Sequence, residues 1–172
     1  MKELIIFGRS PFINRLNLNN IDYDRFDILC INKPIEGLKR VDFLVSADDW
    51  TKPELSVETE WISVNNGWNI IKTEKIIRGE KKLSWKHYSS DLAVNFAILR
   101  GYKTIYIAGI DLVEDDKPFY HYDGVMSTRK ASADGCRDEK EHIKLLAREA
   151  NINIYQLNPD SDWLEYRDLG LL

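Results

Sequence analysis

The chain reads as an α/β protein: a Rossmann-like, mostly parallel sheet with helices on both faces and an irregular lid after the fifth strand. Three observations predict this. Short apolar runs recur along the chain, and nearly every one ends in small or polar residues. Most of these runs are apolar throughout rather than alternating, as strands covered on both sides are. In the C-terminal half, helix, strand, helix and strand follow one another, the order of parallel strands joined by crossover helices.

The predicted strands are Leu4 to Phe7, Phe26 to Ile31, Val41 to Val45, Glu60 to Val64, Thr104 to Ala108 and Asn153 to Leu157. Gly8, Asn32, Ser46, Asn65, Gly109 and Asn158 stop them. Such residues punctuate regular structure because they accept turn conformations. A helix is predicted from Tyr88 to Arg100, where Tyr88, Leu92, Phe96 and Leu99 share one face. Ser89 or Ser90 can cap its start, and Gly101 stands where a terminating glycine belongs. A second helix is predicted from Glu139 to Ala150, with the face Ile143, Leu146, Ala147 and Ala150. Asp138 and Glu141 have the spacing of a capping box at its start. A shorter helix fits Ile13 to Leu18, whereas Trp68 to Leu83 fits helix or strand. Leu112 to Arg137 has no periodicity and carries Phe119, Tyr120, His121 and Tyr122. A segment that long and irregular reads as a lid that orders on something.

A length of 172 residues suits a single domain, 1–172, able to bury a sizeable core. The formal net charge of -4 gives no overall attraction for nucleic acid. Cys30 reads as a buried thiol and Cys136 as incidental; neither zinc-type spacing nor a disulfide framework is present. No apolar run reaches transmembrane length and no signal peptide is apparent, so a soluble, cytoplasmic protein is expected. Edge strands and five tryptophans suggest a homo-oligomer.

In doubly wound sheets, ligands bind beyond the C-terminal ends of the strands. The residues placed there are Gly8-Arg9-Ser10, Asn32-Lys33, Ser46 to Asp49, Asn65-Asn66, Gly109-Ile110-Asp111 and Asn158 to Ser161. Gly8-Arg9-Ser10-Pro11 permits close backbone approach to a phosphate that Arg9 can grip, or is an ordinary strand-to-loop turn. Ser89 and Ser90 begin a helix, where the dipole favours an anion, or simply cap it. Lys81, Lys82, Lys86 and His87 precede them, as an attracting group or a solvated face. Asp111 fits a ribose or sugar hydroxyl, or braces a neighbouring loop. His121 fits a general base, or packs the lid; His142 reads as a surface residue. Asp48-Asp49 and Asp115-Asp116 are bare pairs, and no metal-ligand pattern is present.

The order of these pieces resembles the bacterial sialyltransferases of the Campylobacter lipooligosaccharide type (glycosyltransferase family 42-like). It also resembles the related domain of motility accessory factors and pterin pyrophosphokinase-like proteins. Leu4 to Pro11 is similar to the family's first strand and turn, and Tyr23 to Asn32 to its second strand. Ser89-Ser90 through Gly101-Tyr102-Lys103 to Gly109-Ile110-Asp111 is the nearest match, and Glu139 to Ser161 follows it.

The resemblance implies a Rossmann-like sheet that binds a CMP-sugar without metal and with no cofactor beyond the donor. It places Gly8, Ser10, Asn32, Ser89 and Ser90 on the donor, Tyr120 and Tyr122 on the phosphate, and a base at His121. The chain departs from the family at Arg9 and Ser10, at Asp91 after the serines, and in lacking a second lid histidine. The expected function is therefore transfer of a sugar from a nucleotide to a glycan acceptor hydroxyl. The alternatives are a nucleotide-binding or interaction module without chemistry, and a pterin pyrophosphokinase-like enzyme using ATP and magnesium.

Overall fold

Every residue from Leu4 to Phe7 is fully buried, because the first strand lies in the middle of the sheet and is covered on both faces. The structure, a computed structural model, describes residues 2–47, 59–63, 70–71, 83–84, 88–113, 121–125 and 133–172. The strands are β1 (Glu3–Phe7), β2 (Phe26–Ile31), β3 (Phe43–Ser46), β4 (Glu60–Ser63), β5 (Ile70–Ile71), β6 (Leu83–Ser84), β7 (Thr104–Ala108) and β8 (Asn153–Gln156). Six of them form one parallel sheet in the order β4-β3-β2-β1-β7-β8; β5 and β6 pair separately. The predicted α/β class with a parallel sheet is the one found. The expected strand at residues 41–45 begins two residues later, at Phe43.

Alternate residues of β1 feed two cores. Leu4 and Ile6 join Leu29, Val45, Ile62 and Ile105 on one face. Ile5 and Phe7 join Ile28, Cys30, Leu44 and Tyr106 on the other. A side chain of this size contributes about 1.5–3 kcal/mol when fully buried, an upper range because unfolded chains already bury some surface.

Both faces are covered, but by different means. Helices α1 (Ser89–Leu99) and α2 (Ala133–Glu149) pack on the first face. The second is covered by the 3-10 helices Pro11–Arg15 and Leu18–Asn20 and by the C-terminal segment, through Phe12, Ile13, Leu157 and Leu171. The single helix expected at residues 13–18 is thus two short 3-10 turns. Pro11 takes the first helical position of the earlier one, and the Ser10 hydroxyl accepts the Phe12 amide. The tail pairs through the Asn17 amide with the Leu171 carbonyl at 2.6 Å.

Helix α1 runs as predicted, but with more than one buried face. Residues Ser89 to Ala97 are all buried, because sheet, α2 and β6 surround the helix. Its end is a Schellman motif: the Gly101 amide donates to Ile98 and the Tyr102 amide to Ala97, with Gly101 at φ 87°. Asn151, at φ 50°, closes α2 in the same way through Arg148 and Ala147.

Helix α2 starts at Ala133, six residues before the expected Glu139. Residues 133–137 of the stretch expected to be irregular are thus helical. Asp138 and Glu141 lie inside the helix and form no capping box. Cys136 and His142, expected in polar or surface positions, are buried, His142 beside Asp91 of α1. Tertiary packing overrides the local pattern here: a helix facing another helix buries residues its own sequence does not mark as core.

Candidate functional site

The strand order reverses between β1 and β7, so the crevice at their C-terminal ends is where a doubly wound sheet binds ligands. Two glycine turns meet there. The Gly8 amide donates to Ala108 at 2.7 Å and the Ser10 amide to Gly109 at 3.0 Å. A Cβ on Gly8 would lie 2.3 Å from the Gly109 carbonyl oxygen. Gly109, at φ 69°, would bring a Cβ 2.7 Å from Ile13. The first turn thus spends the amides of Gly8 and Ser10 on the neighbouring turn.

Arg9 leaves this turn with its guanidinium almost wholly inside the protein, 8% exposed. Its Nη2 reaches Asp123 Oδ2 at 2.5 Å. The Asp123 carboxyl is partly desolvated, which works the other way, yet the Val125 amide and the Arg9 guanidinium hold it below its usual range. The segment 121–125 docks by its backbone as well. The Tyr122 amide donates to the Arg9 carbonyl at 2.8 Å, and Asn14 donates to the Tyr122 carbonyl at 2.9 Å. A tight turn, with the Gly124 amide on the His121 carbonyl and Gly124 at φ 75°, shapes the segment.

His121 is half-buried above this turn. Burial and then the Arg9 guanidinium hold its imidazole below the ordinary 6.5; Asp123 and a hydrogen bond to the Arg9 backbone partly offset them. It is therefore neutral at pH 7, as a proton acceptor must be. Tyr122 packs against the second core, and its hydroxyl accepts the Glu36 amide at 3.4 Å. Tyr120 lies outside the described residues, as do Lys81, Lys82, Lys86, His87, Asp48, Asp49, Asn65, Asn66 and the pair Asp115-Asp116.

A second group forms beyond β2 and β3. Asn32 takes φ 68° while its amide still pairs with Val45 at 2.8 Å. Asparagine tolerates this left-handed conformation better than most residues. Its Oδ1 accepts the Ser89 hydroxyl at 3.1 Å, and Ser89 Oγ accepts the Ala47 amide at 2.9 Å. The fold thus joins Asn32 and Ser89, far apart in sequence, at one edge.

Ser90 turns the other way. The residue before α1's first turn is Tyr88, which supplies no side-chain cap, so neither serine caps the helix as expected. Glu139 of α2, fully buried, does so instead: its Oε1 accepts the Ser90 hydroxyl at 2.5 Å and the Asp91 amide at 2.9 Å. His142 Nε2 lies 3.7 Å from Asp91 Oδ2 in the same buried group. The sequence held a signal for this: two carboxylates and a histidine sit beside the apolar positions of the two helices.

Beyond β7 and β8, Asp111 receives a hydrogen bond from Asn158 at 2.9 Å, bracing the two loops. Leu112 follows at φ 47°, a strained conformation for a bulky residue. A cavity of about 290 Å³ opens beside them, lined by Asp111, Lys140, Asn158, Asp160, Ser161 and Asp162. Among the described residues, no three His, Cys, Asp or Glu side chains are arranged so that they could hold a metal ion, and no helix is long and apolar enough to cross a membrane.

No protein-family model matches the chain, and no match to it was found among curated proteins. Among solved structures, the fold is similar to that of the sialyltransferase CstII from Campylobacter jejuni, determined in complex with the substrate analogue CMP-3FNeuAc. The TM-score is 0.56 and the identity 14%, with 100% of this chain and 89% of that chain covered. At that identity the likeness is one of fold: this chain has a six-stranded parallel α/β fold similar to that of a glycosyltransferase.

Proposed function

We propose that the chain binds a nucleotide sugar, a CMP-sugar foremost, across the ends of β1, β2 and β7 and transfers the sugar to an acceptor hydroxyl. The observation that carries this reading is the meeting of a buried cation, Arg9, and a neutral imidazole, His121, where the strand order reverses. Gly8, Ser10, Asn32 and Ser89 form the donor floor; Ser90 and Gly109 hold that floor from behind. Asp111 faces a sugar or ribose hydroxyl.

In the reaction, His121 accepts the proton of the acceptor hydroxyl as that oxygen bonds to the anomeric carbon. The bond from that carbon to the phosphate oxygen breaks, and CMP leaves with the electron pair. Arg9 receives the growing negative charge, and Tyr120 and Tyr122 steady the phosphate. The chemistry needs no metal and no cofactor besides the donor. The likeness in fold to an enzyme solved with a CMP-sugar analogue supports the nucleotide class.

A second reading has its own support. Asp123 already holds Arg9 and Glu139 already holds Ser90, as expected of a binding module that kept the fold without the chemistry.

A thermal-shift series with CMP, CMP-sialic acid, UDP-sugars and ATP, with and without magnesium, tests the readings. A ligand at a hundredfold over its Kd should stabilise the protein by roughly 2.7 kcal/mol. A metal-independent shift with cytidine compounds, and turnover abolished by His121→Ala with binding retained, supports transfer. Binding without hydrolysis or transfer supports the module. A shift only with ATP and magnesium supports a pyrophosphokinase-like activity instead.

A further inference from the structure

We propose that Asp123 is an intramolecular competitor for the anion seat at Arg9, so that a ligand phosphate binds by displacing its carboxylate. This rests on the reading that a phosphate-bearing ligand occupies the turn after β1.

Arg9 is more than nine-tenths buried, and a guanidinium taken out of water needs an anion beside it. Asp123 is that anion, and it comes from the solvent side: its own side chain is 33% exposed. The fit is incomplete. Only Nη2 meets the carboxylate, and the buried Nε has no hydrogen-bond partner among the described residues. A guanidinium presents two parallel donors to a phosphate or a carboxylate alike. Asp123 gives its Oδ1 to the Val125 amide at 3.2 Å and only Oδ2 to Arg9, so a phosphate oxygen pair offers Arg9 one contact more than Asp123 does.

Exchange requires little rearrangement. The segment stays docked through the Tyr122 amide on Arg9 and through Asn14, neither of which involves the Asp123 side chain. The carboxylate has to release Arg9 and the Val125 amide, a bond of 3.2 Å, and rotate toward water, where it is already partly exposed. The device guards the buried cation when no ligand is present and sets a threshold that weakly binding anions do not pass. Selection arises because the displacing anion must outbid a carboxylate tethered next to the seat.

Titration calorimetry of the full chain at low salt tests this with two probes, inorganic pyrophosphate and CMP. The proteins are the wild type, Asp123→Asn, Asp123→Ser and Arg9→Gln, each checked for an unchanged cooperative melt. Both Asp123 variants should bind pyrophosphate about tenfold more tightly than wild type, as removal of a tethered competing charge permits. Arg9→Gln should lose pyrophosphate binding. Unchanged or weaker binding in both Asp123 variants overturns the proposal, as does an Arg9→Gln that binds like wild type or the absence of pyrophosphate binding throughout. CMP separates the two readings. If the Asp123 variants gain pyrophosphate affinity but CMP binds no better than pyrophosphate, the competitor stands and the nucleotide assignment falls. If CMP binds and the Asp123 variants do not change it, the competitor falls and the nucleotide assignment stands.

Discussion

Glu139 accepts the hydroxyl hydrogen of Ser90 at 2.5 Å, so the N-terminus of α1 is capped by a carboxylate from α2 rather than by its own preceding residue. The same oxygen takes the Asp91 amide, one of the donors that a helix start leaves unmet. Glu139→Ala removes the cap and strands two buried donors. The expected loss is about 2–4 kcal/mol, a lost cap together with unsatisfied buried groups. Glu139→Gln keeps an acceptor in place and should cost less than half of that. Urea unfolding of both variants measures the difference, and equal losses would show that the cap is not what Glu139 contributes.

The contact between the two glycine turns predicts a graded series. Gly8→Ala sets a Cβ 2.3 Å from a backbone oxygen that cannot give way without moving β7, so a loss of about 3 kcal/mol or more is expected. Gly101→Ala meets nothing within 4 Å and has only its left-handed φ to oppose it, about 1–2 kcal/mol. Melting both variants beside wild type gives the order. A Gly8→Ala as stable as Gly101→Ala would mean that the turns separate readily.

His121 makes stability depend on pH in a stated direction. Its folded-state pKa lies below the ordinary 6.5, chiefly through burial and then Arg9. The unfolded chain therefore binds the proton more readily, and the stability tied to neutral His121 is complete above about 6.5 and lost as pH falls below it. His121→Gln should flatten this part of the pH profile in urea titrations at pH 7.5 and 5.5. The imidazole resonances should titrate below 6.5, and lower still in Asp123→Asn, because Asp123 works to raise the value. A midpoint above 6.5 would contradict the burial of the ring near Arg9.

Both thiols should be inert in the native state. Cys30 is fully buried, and desolvation pushes its pKa up to about 12; Cys136 is buried on α2. An aromatic disulfide reagent should label neither without denaturant and both with it. Native labelling of Cys136 alone would indicate that α2 opens locally.

By itself the sequence determined the parallel α/β class, six strands of the main sheet, α1 and its glycine stop, because these rest on local signals. A short apolar run such as Leu4 to Phe7, stopped at once by Gly8, reads as a buried strand, and Gly101 adopts a φ that most residues avoid. It also placed Gly8, Arg9, Asn32, Gly109 and Asp111 at one edge, since strand ends of a parallel sheet point the same way. The tertiary structure alone decided which groups meet. Arg9 pairs with Asp123 and Ser90 with Glu139 across 114 and 49 residues, distances over which no periodicity carries information. The early start of α2 and the burial of His142 and Cys136 likewise appear only in the fold, where His142 lies beside Asp91 of α1. Charge and hydropathy state what a side chain prefers in water, whereas its partner is fixed by where the rest of the chain goes.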